Sequence, residues 1–416
     1  MDLSPIKKIF QKFASLRDYS SLIIPGVLAI LAALLFIPTT LMQHSLDSKM
    51  DKESLSKAKT LDSLGRDTPS GRQWQVLLDR QNSIQNDANK IVQLAEQSSR
   101  RELISYDVFP APKETSPRLF GQFGQKYRAA IDAWALNLKA RSCPTQAELS
   151  KSLNRSFTTV GSNSDSGLQE TDKIIIDHVC REVAQSVKVY FDPANIPGYK
   201  TWENYEYSDQ VKAVEDCWYW QIAYWVIEDC FQTVKTLDAG SANVLDAPVK
   251  RIVDIGFAAA PSSAQGSTAM TQSASAKAEK PGYITSLRAG LTLPLTARVS
   301  NDRLDIVHFR LSVIVSAKAV PLFLQQLCTG KEHKFRGFNN DLPEKTFYHN
   351  QITILKCDFD AINPEDNDNK LYRFGSDGVV KLDLFCGYIF DKNGYDDVKP
   401  PSVKNDLESR LAKANQ

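Results

Sequence analysis

Residues Cys217–Phe231 read CWYWQIAYWVIEDCF, and a helix drawn through them has two apolar faces. Val211, Val214, Trp218, Ile222 and Trp225 make one stripe. Trp220, Tyr224, Ile227, Phe231 and Val234 make a second, nearly opposite. A helix covering one side of a sheet needs a single apolar stripe. This one needs cover on both sides, which predicts a layered α+β fold with the helix inside it. Two covers stay open for the second face. One is the chain's own helices, with Phe123, Tyr127 and Trp134 as examples. The other is an association surface anchored by Trp220, Tyr224 and Phe231, because Trp and Tyr are favoured anchors at interfaces. A ligand-stacking site on the same rings is a third use.

Outward from this helix the pattern alternates between helix and strand. Thr171–Ser186 reads as a helix with Ile175, Val179 and Val183 inward, leading into a strand at Val187–Phe191. The aromatic helix spans Asp209–Leu237, and VKRIVDIGF at Val249–Phe257 reads as a strand. Asp305–Ser316 is a strand, Ala317–Cys328 a short helix with Pro321 in its first turn, and Thr346–Asp358 a strand. Val379–Phe390, rich in β-formers, adds another. The six elements from Val187 to Asp358 match β-α-β twice over, the order of a ferredoxin-like α/β sandwich. Its halves are residues 168–257 and 283–392, with the strand at Val379 lengthening the sheet. Residues 258–282 between them are small and polar, with no Leu, Ile or Val. They offer too little apolar surface to offset ordering entropy and are predicted disordered. Tyr283–Ser300 is ambiguous, an edge strand being one reading. Residues 393–416 read as a polar tail.

The N-terminal part is organised differently. Residues 19–43 carry no charge, and their apolar heart is SLIIPGVLAILAALLFIPTTLM, Ser21–Met42. As a helix it spans roughly 33 Å, the thickness of a bilayer's hydrocarbon core. Lys7, Lys8, Lys12 and Arg17 precede it in residues 1–18, whereas the charges after it nearly cancel. That bias places the N-terminus inside and the large C-terminal part outside. In a bacterium this means the inner membrane and the periplasm. A cleaved signal peptide is the competing reading; the apolar run is long for one and PTTLMQHS lacks a small-x-small cleavage site. Pro25 and Pro38 kink the span or mark its ends.

Residues 44–160 read as a helical stalk. GRDTPSG at Gly65–Gly71 is a break. A coiled-coil segment follows at 72–104, where Trp74, Leu77, Gln81, Ile84, Ala88, Ile91 and Ala95 recur at spacings of three and four. A helix packed on its own domain gives the same pattern. A second helix, Leu119–Ala140, carries Phe120, Phe123, Tyr127, Ile131, Trp134 and Leu138 on one face. Thr145 and Glu148 form a capping box for a third. GSNSDSG at Gly161–Gly167 is a flexible link.

The 416 residues, 42% hydrophobic, suffice for two or three cored domains. A formal net charge of +1 gives no basic field for nucleic acid. Seven cysteines, Cys143, Cys180, Cys217, Cys230, Cys328, Cys357 and Cys386, contain no C-x-x-C, and an odd count leaves at least one thiol unpaired. Several lie in apolar runs and read as buried small hydrophobes. The five histidines, His44, His178, His308, His333 and His349, fit no metal spacing. Glu365–Asp368 and Asp391–Asp397 are acidic but do not fit a calcium loop. No nucleophile elbow, phosphate loop or dinucleotide fingerprint occurs. No catalytic residue, cofactor, metal or small-molecule substrate is therefore expected.

An inside-facing anchor, a coiled-coil stalk and a ferredoxin-like domain together resemble the PilO/GspM class of bacterial inner-membrane proteins. These belong to type IV pilus and type II secretion machines. FRLSVIVSAKAVPLFLQQL, Phe309–Leu327, is the segment nearest in pattern, continued by the strands around QITILKC and VKLDLFCGYIF. This chain is about twice the usual length and adds the aromatic helix and the Ser/Ala-rich insert. The resemblance implies a non-enzymatic scaffold, dimerising with itself or a related chain through stalk and sheet and joining other envelope components. On that reading Trp74, Leu77, Ile84 and Ile91 pair helices. The alternative is a membrane-tethered binding module whose aromatic helix, 217–231, lines a site for an extracellular ligand.

Overall fold

A computed structural model describes residues 20–67, 71–153, 170–257, 280–285, 298–363 and 365–414. Lys7, Lys8, Lys12, Arg17 and residues 258–279 of the expected disordered segment lie outside them. The chain divides into two units, Met1–Ala88 and Asn89–Gln416.

In the first unit, helix α1 (Ser20–Lys49) contains both Pro25 and Pro38. It is long and apolar enough to cross a membrane. Beside Pro38, the Thr39 and Thr40 hydroxyls donate back to the carbonyls of Leu35 and Phe36, so both are satisfied within the helix. A π-helical turn (Met50–Leu55) leads into α2 (Ser56–Asp67), which includes Gly65, so the expected break does not begin there. Residues 68–70 lie outside the described set, and α3 (Gly71–Ser98) follows.

The second unit is built on a six-stranded sheet. Its strands are β1 (Ala140–Arg141), β2 (Val189–Tyr190), β3 (Val249–Phe257), β4 (Leu304–Ser316), β7 (Ile352–Ala361) and β8 (Val379–Asp391), in the order β1-β2-β3-β4-β8-β7. The first three are parallel and the remaining pairs antiparallel. The centre is the β4–β8 ladder, unbroken from Leu304↔Asp391 to Ser316↔Val379. Period two sorts its side chains. Val307, Phe309, Leu311, Val313 and Val315 of β4 join Leu382, Leu384, Cys386, Tyr388 and Phe390 of β8 in the main core. On the opposite face Ile314 meets Val183, Tyr190 and Phe374 in a smaller core. Val183 comes from helix α6 (Glu170–Ser186), which follows α4 (Pro117–Asn137) and α5 (Gln146–Leu153). Thr145 and Glu148 complete a reciprocal capping box at α5, each side chain bonding the other's backbone N–H.

After the five-residue α7 (Tyr199–Glu203) comes the aromatic helix α8 (Gln210–Leu237), N-capped by Asp209. Its two stripes find two covers. Trp218 stacks on Tyr395 at 5.8 Å and Trp225 meets Phe390 at 5.8 Å, on the sheet side. Trp220 and Tyr224 meet Tyr127 of α4 at 6.1 and 6.2 Å, and Phe231 meets Trp134 at 5.9 Å. Helix α4 is therefore the second cover and belongs to this unit, not to a stalk. Gly124 lets α4 approach: a Cβ there would lie 2.5 Å from the Trp202 ring.

Three expectations are corrected. The β-α-β units of a ferredoxin-like sandwich are split by a strand between their members, but here Tyr190 of β2 pairs directly with Arg251 of β3. The predicted strand Thr346–Asp358 is two strands in different sheets. Between them Gln351 is held by Ser99 Oγ (3.1 Å) and by the Ile389 N–H (3.1 Å). The first piece, β6 (Lys345–His349), pairs instead with β5 (Lys331–Phe335), an unexpected strand that follows α9 (Val320–Leu327). The polar tail is also structured. Asp391 caps α10 (Lys392–Tyr395), and α11 (Pro401–Ala414) buries Val403 and Leu407 in the main core. Tyr395 and Lys399 both donate to Asp305 Oδ2, at 2.5 and 2.6 Å, fixing that turn to β4. Of the ambiguous segment, Tyr283 forms a lone bridge to Val307, and residues 286–297 lie outside the described set.

Asp238, 3% exposed at the end of α8, accepts from the Val249 N–H at 3.0 Å. Burial pushes its carboxyl from 3.8 up to about 7. The folded chain then holds a proton that the unfolded chain releases, so this group's contribution to stability declines as pH rises from about 4 to about 7. Asp238→Asn is expected to flatten that decline in urea unfolding followed against pH. In the same assay Trp220→Ala should cost about 3–5 kcal/mol and Gly124→Ala about 1–3 kcal/mol.

Candidate functional site

The largest departure from an apolar interior lies where α8 passes the end of α3. The segment after α3 crosses α8 and is bonded to it along its length. The Ile104 N–H donates to Gln221 Oε1 (2.7 Å), and Trp225 Nε1 donates to the Glu102 carbonyl (2.9 Å). Ser99 Oγ accepts from the Asp391 N–H (2.8 Å). Arg101 sits at the middle, 2% exposed. Its Nη2 pairs with Glu228 Oε2 at 2.6 Å and Asp229 Oδ1 at 2.8 Å, and its Nη1 donates to Tyr388 OH at 2.6 Å. Tyr388 in turn donates to Asp229 Oδ2 at 2.7 Å.

The β5–β6 hairpin brings two imidazoles to this cluster. His333 is opposite Phe347 and Lys331 is opposite His349, so period two puts all four on one face. His349 Nε2 lies 2.9 Å from Asp229 Oδ2, and the two Nδ1 atoms lie 2.8 Å apart. His333 Nε2 is 2.9 Å from the Arg100 carbonyl oxygen. Lys331 is buried with its Nζ donating to the carbonyls of Leu327 (2.9 Å) and Thr329 (3.2 Å), closing the C-terminal end of α9.

Burial shifts the ionisation of every member. It raises Asp229, but Arg101 and His349 outweigh it and hold that carboxyl well below its usual range. Burial raises Glu228 despite Arg101, and raises the Tyr388 phenol strongly. Burial, helped by the Arg101 charge, pushes His333 down to about 3. It lowers His349 against the pull of Asp229, and it lowers Lys331.

An open cleft of about 900 Å³ borders the cluster, with Arg101, Lys126, Trp134, Tyr224, Glu228 and His333 among its walls. Asp229 and His349 have the spacing of a carboxylate that orients a base. However, the second ring nitrogen of His349 is turned to His333, not to a hydroxyl or thiol. The seven cysteines are free thiols, four of them buried. Burial raises Cys180 to about 11 and lifts Cys217 and Cys386 well above the ordinary thiol value, which makes them poor nucleophiles. Among the described residues no group of three or more His, Cys, Asp and Glu is placed to hold a metal. Asp391 caps a helix and Asp396 pairs with Lys399 and Lys404, so the acidic stretch 391–397 is engaged in local structure.

The interface candidates separate into two groups. Trp220 (2% exposed) and Phe231 are core residues, and Tyr224 is a half-buried cleft wall. They are covered by α4, which removes them as an association surface. In the first unit Trp74, Leu77 and Ile84 (61%) are exposed, as is Ile91 in the second. The polar cluster was missed because its partners lie 120 and 127 residues apart in sequence. The only local signal was K-x-H-x-F at Lys331–Phe335, an alternation in which a charged residue and a histidine take the inward positions.

Compared with known proteins, the chain matches no family model, no curated protein and no solved structure.

Removing the guanidinium leaves the buried Asp229 and the half-buried Glu228 without their cation. Arg101→Met is expected to cost about 3–5 kcal/mol in urea unfolding. Arg101→Lys should recover little of it, because an ammonium lacks the planar fork that reaches Asp229, Glu228 and Tyr388 together. Arg128→Met, at a partly exposed pair with Glu203 (3.5 Å), should change stability by less than about 1 kcal/mol.

Proposed function

We propose that this chain is a non-catalytic scaffold, tethered to a membrane by α1 and associating through the exposed stripe of α3. The observation that carries the reading is the exposure of Trp74, Leu77 and Ile84 at heptad spacing, in a unit whose described residues bury none of them. Solvent-facing apolar residues recurring at three and four on a 28-residue helix need a partner helix to cover them. Covering an Ile or Leu contributes about 1.5–3 kcal/mol, so a few such residues suffice for specific pairing. The anchor bias from Lys7, Lys8, Lys12 and Arg17 supports a cytoplasmic N-terminus and a periplasmic C-terminal body in a bacterial inner membrane.

An envelope-spanning machine of the pilus or secretion kind is the setting that suits a tethered, pairing arm. The PilO/GspM likeness rests on the anchor and the arm. The order of the sheet adds nothing to it, since among the described residues the split β-α-β of a ferredoxin-like sandwich is absent. A second reading is favoured by the cleft: a tethered module binding a small polar ligand between Trp134, Tyr224 and Arg101. In it the aromatic helix contributes Tyr224 and Glu228, not its buried tryptophans.

Crosslinking of the full chain in membranes separates the two. The scaffold reading expects a dimer or a crosslinked neighbour that Leu77→Asp and Ile84→Asp each weaken at least tenfold. Those variants should leave the melting temperature of the body unchanged. A chain that stays monomeric and captures no neighbour overturns it.

A further inference from the structure

The contact chain Asp229–His349–His333–Arg100 is one proton short if both imidazoles are neutral. Its three links are Asp229 Oδ2 to His349 Nε2 (2.9 Å), His349 Nδ1 to His333 Nδ1 (2.8 Å), and His333 Nε2 to the Arg100 carbonyl oxygen (2.9 Å). Both ends are acceptors. The carbonyl has no proton to give, and Asp229, beside Arg101 and already accepting from Tyr388, is ionised. Each Nε2 must therefore carry a hydrogen. A neutral imidazole carries only one, so two neutral rings would present bare lone pairs to each other across 2.8 Å.

A single proton between the two Nδ1 atoms resolves the clash. The separation is an ordinary one for a charge-assisted hydrogen bond. It is too short for a shared metal ion, whose bonds of about 2.0–2.1 Å would set tetrahedral ligand nitrogens about 3.3 Å apart. We propose that His333 and His349 form a binding site for one proton, held as an imidazole–imidazolium pair that latches the β5–β6 hairpin onto α8 and the Arg100–Arg101 turn. His333 lines the cleft and gives the proton its route to solvent, whereas the His349 ring is fully buried.

The charges facing the pair come from every element packed on it. They are Arg101 on the turn, Glu228 and Asp229 on α8, and Lys331 on β5, with the neutral Tyr388 on β8. Burial, Arg101 and Lys331 oppose a further positive charge. Asp229 in direct contact favours it, and Glu228 neutralises part of the Arg101 charge. The deciding term is the alternative state, in which buried acceptors confront each other and each bears its desolvation cost without a bond.

The test is solid-state nuclear magnetic resonance of the full chain in lipid nanodiscs, labelled with ¹⁵N-histidine, at pH 7. The pair is identified by coupling between two Nδ1 atoms across a hydrogen bond. The proposal expects both coupled rings to have protonated Nε2 atoms; a bare Nε2 on either ring, or no coupling, overturns it. His333→Gln and His349→Gln should each abolish the coupling. A second readout is urea unfolding against pH in an Asp238→Asn background, which removes a carboxyl whose raised titration has the same sign. Unfolded histidines release their proton near pH 6.5. The folded pair keeps its own, so the folded-to-unfolded ratio should fall about tenfold per pH unit above that point. A ratio that instead levels off above pH 6.5, with no fall for His333→Gln to remove, marks a neutral pair and overturns the proposal.

Discussion

The Arg101 guanidinium is the interaction on which the body's interior depends. It binds two consecutive carboxylates of α8 and the phenol of Tyr388 from the central ladder, so one side chain joins helix, sheet and the turn after α3. Without a cation, the buried Asp229 and the half-buried Glu228 would be adjacent carboxylates on the stretch of α8 that follows its run of aromatic residues. Burying such a group is expensive, and pairing returns much of the cost but rarely more. Its value is positional. The guanidinium fixes where the chain crosses α8, and the Asp229 carboxylate then fixes where the hairpin lands.

The apolar packing around this cluster imposes a second constraint. Helix α8 is enclosed between sheet and α4, and close approach on the outer side depends on small residues where rings meet. Gly124 sits against Trp202, and Gly198, with φ +81°, sits against Trp220. A Cβ at either place would meet a ring within 3 Å. The aromatic face is thus consumed by internal packing, whereas α3 keeps large side chains such as Trp74, Leu77 and Ile84 uncovered.

Much of this was legible from period and composition. The strands at 249–257, 304–316 and 379–391 are rich in Val, Ile, Leu and Phe and carry inward residues at alternate positions. The two stripes of α8 required two covers, and Phe123, Tyr127 and Trp134 stood at helical spacing on the segment that supplies one of them. Other parts carried a thinner signal. Helix α11 has only Val403, Leu407 and Leu411 at spacings of four amid charged residues, one side chain per turn. Strand β2 is two residues long, too short for its pairing partner to be inferred, so the ferredoxin-like order was drawn from element sequence alone. Strand β5, KEHKF, has a single strong β-former and offered no apolar alternation. The polar cluster assembles across more than a hundred residues, and no local pattern encodes such a meeting.

The same cluster bears on what the body can do. A catalytic site needs a reactive group aimed at a place where substrate can sit. Here every potential actor is aimed at another member of the network: Asp229 at His349 and Tyr388, His349 at His333, Arg101 at its two carboxylates, Lys331 at carbonyls of α9. Turning any one of them toward the cleft would leave its partner buried and unpaired, at a cost comparable to the pair itself. Most of the network's charged groups are therefore engaged with one another, which resists rearrangement. That is the property expected of groups that hold a turn and a hairpin in register.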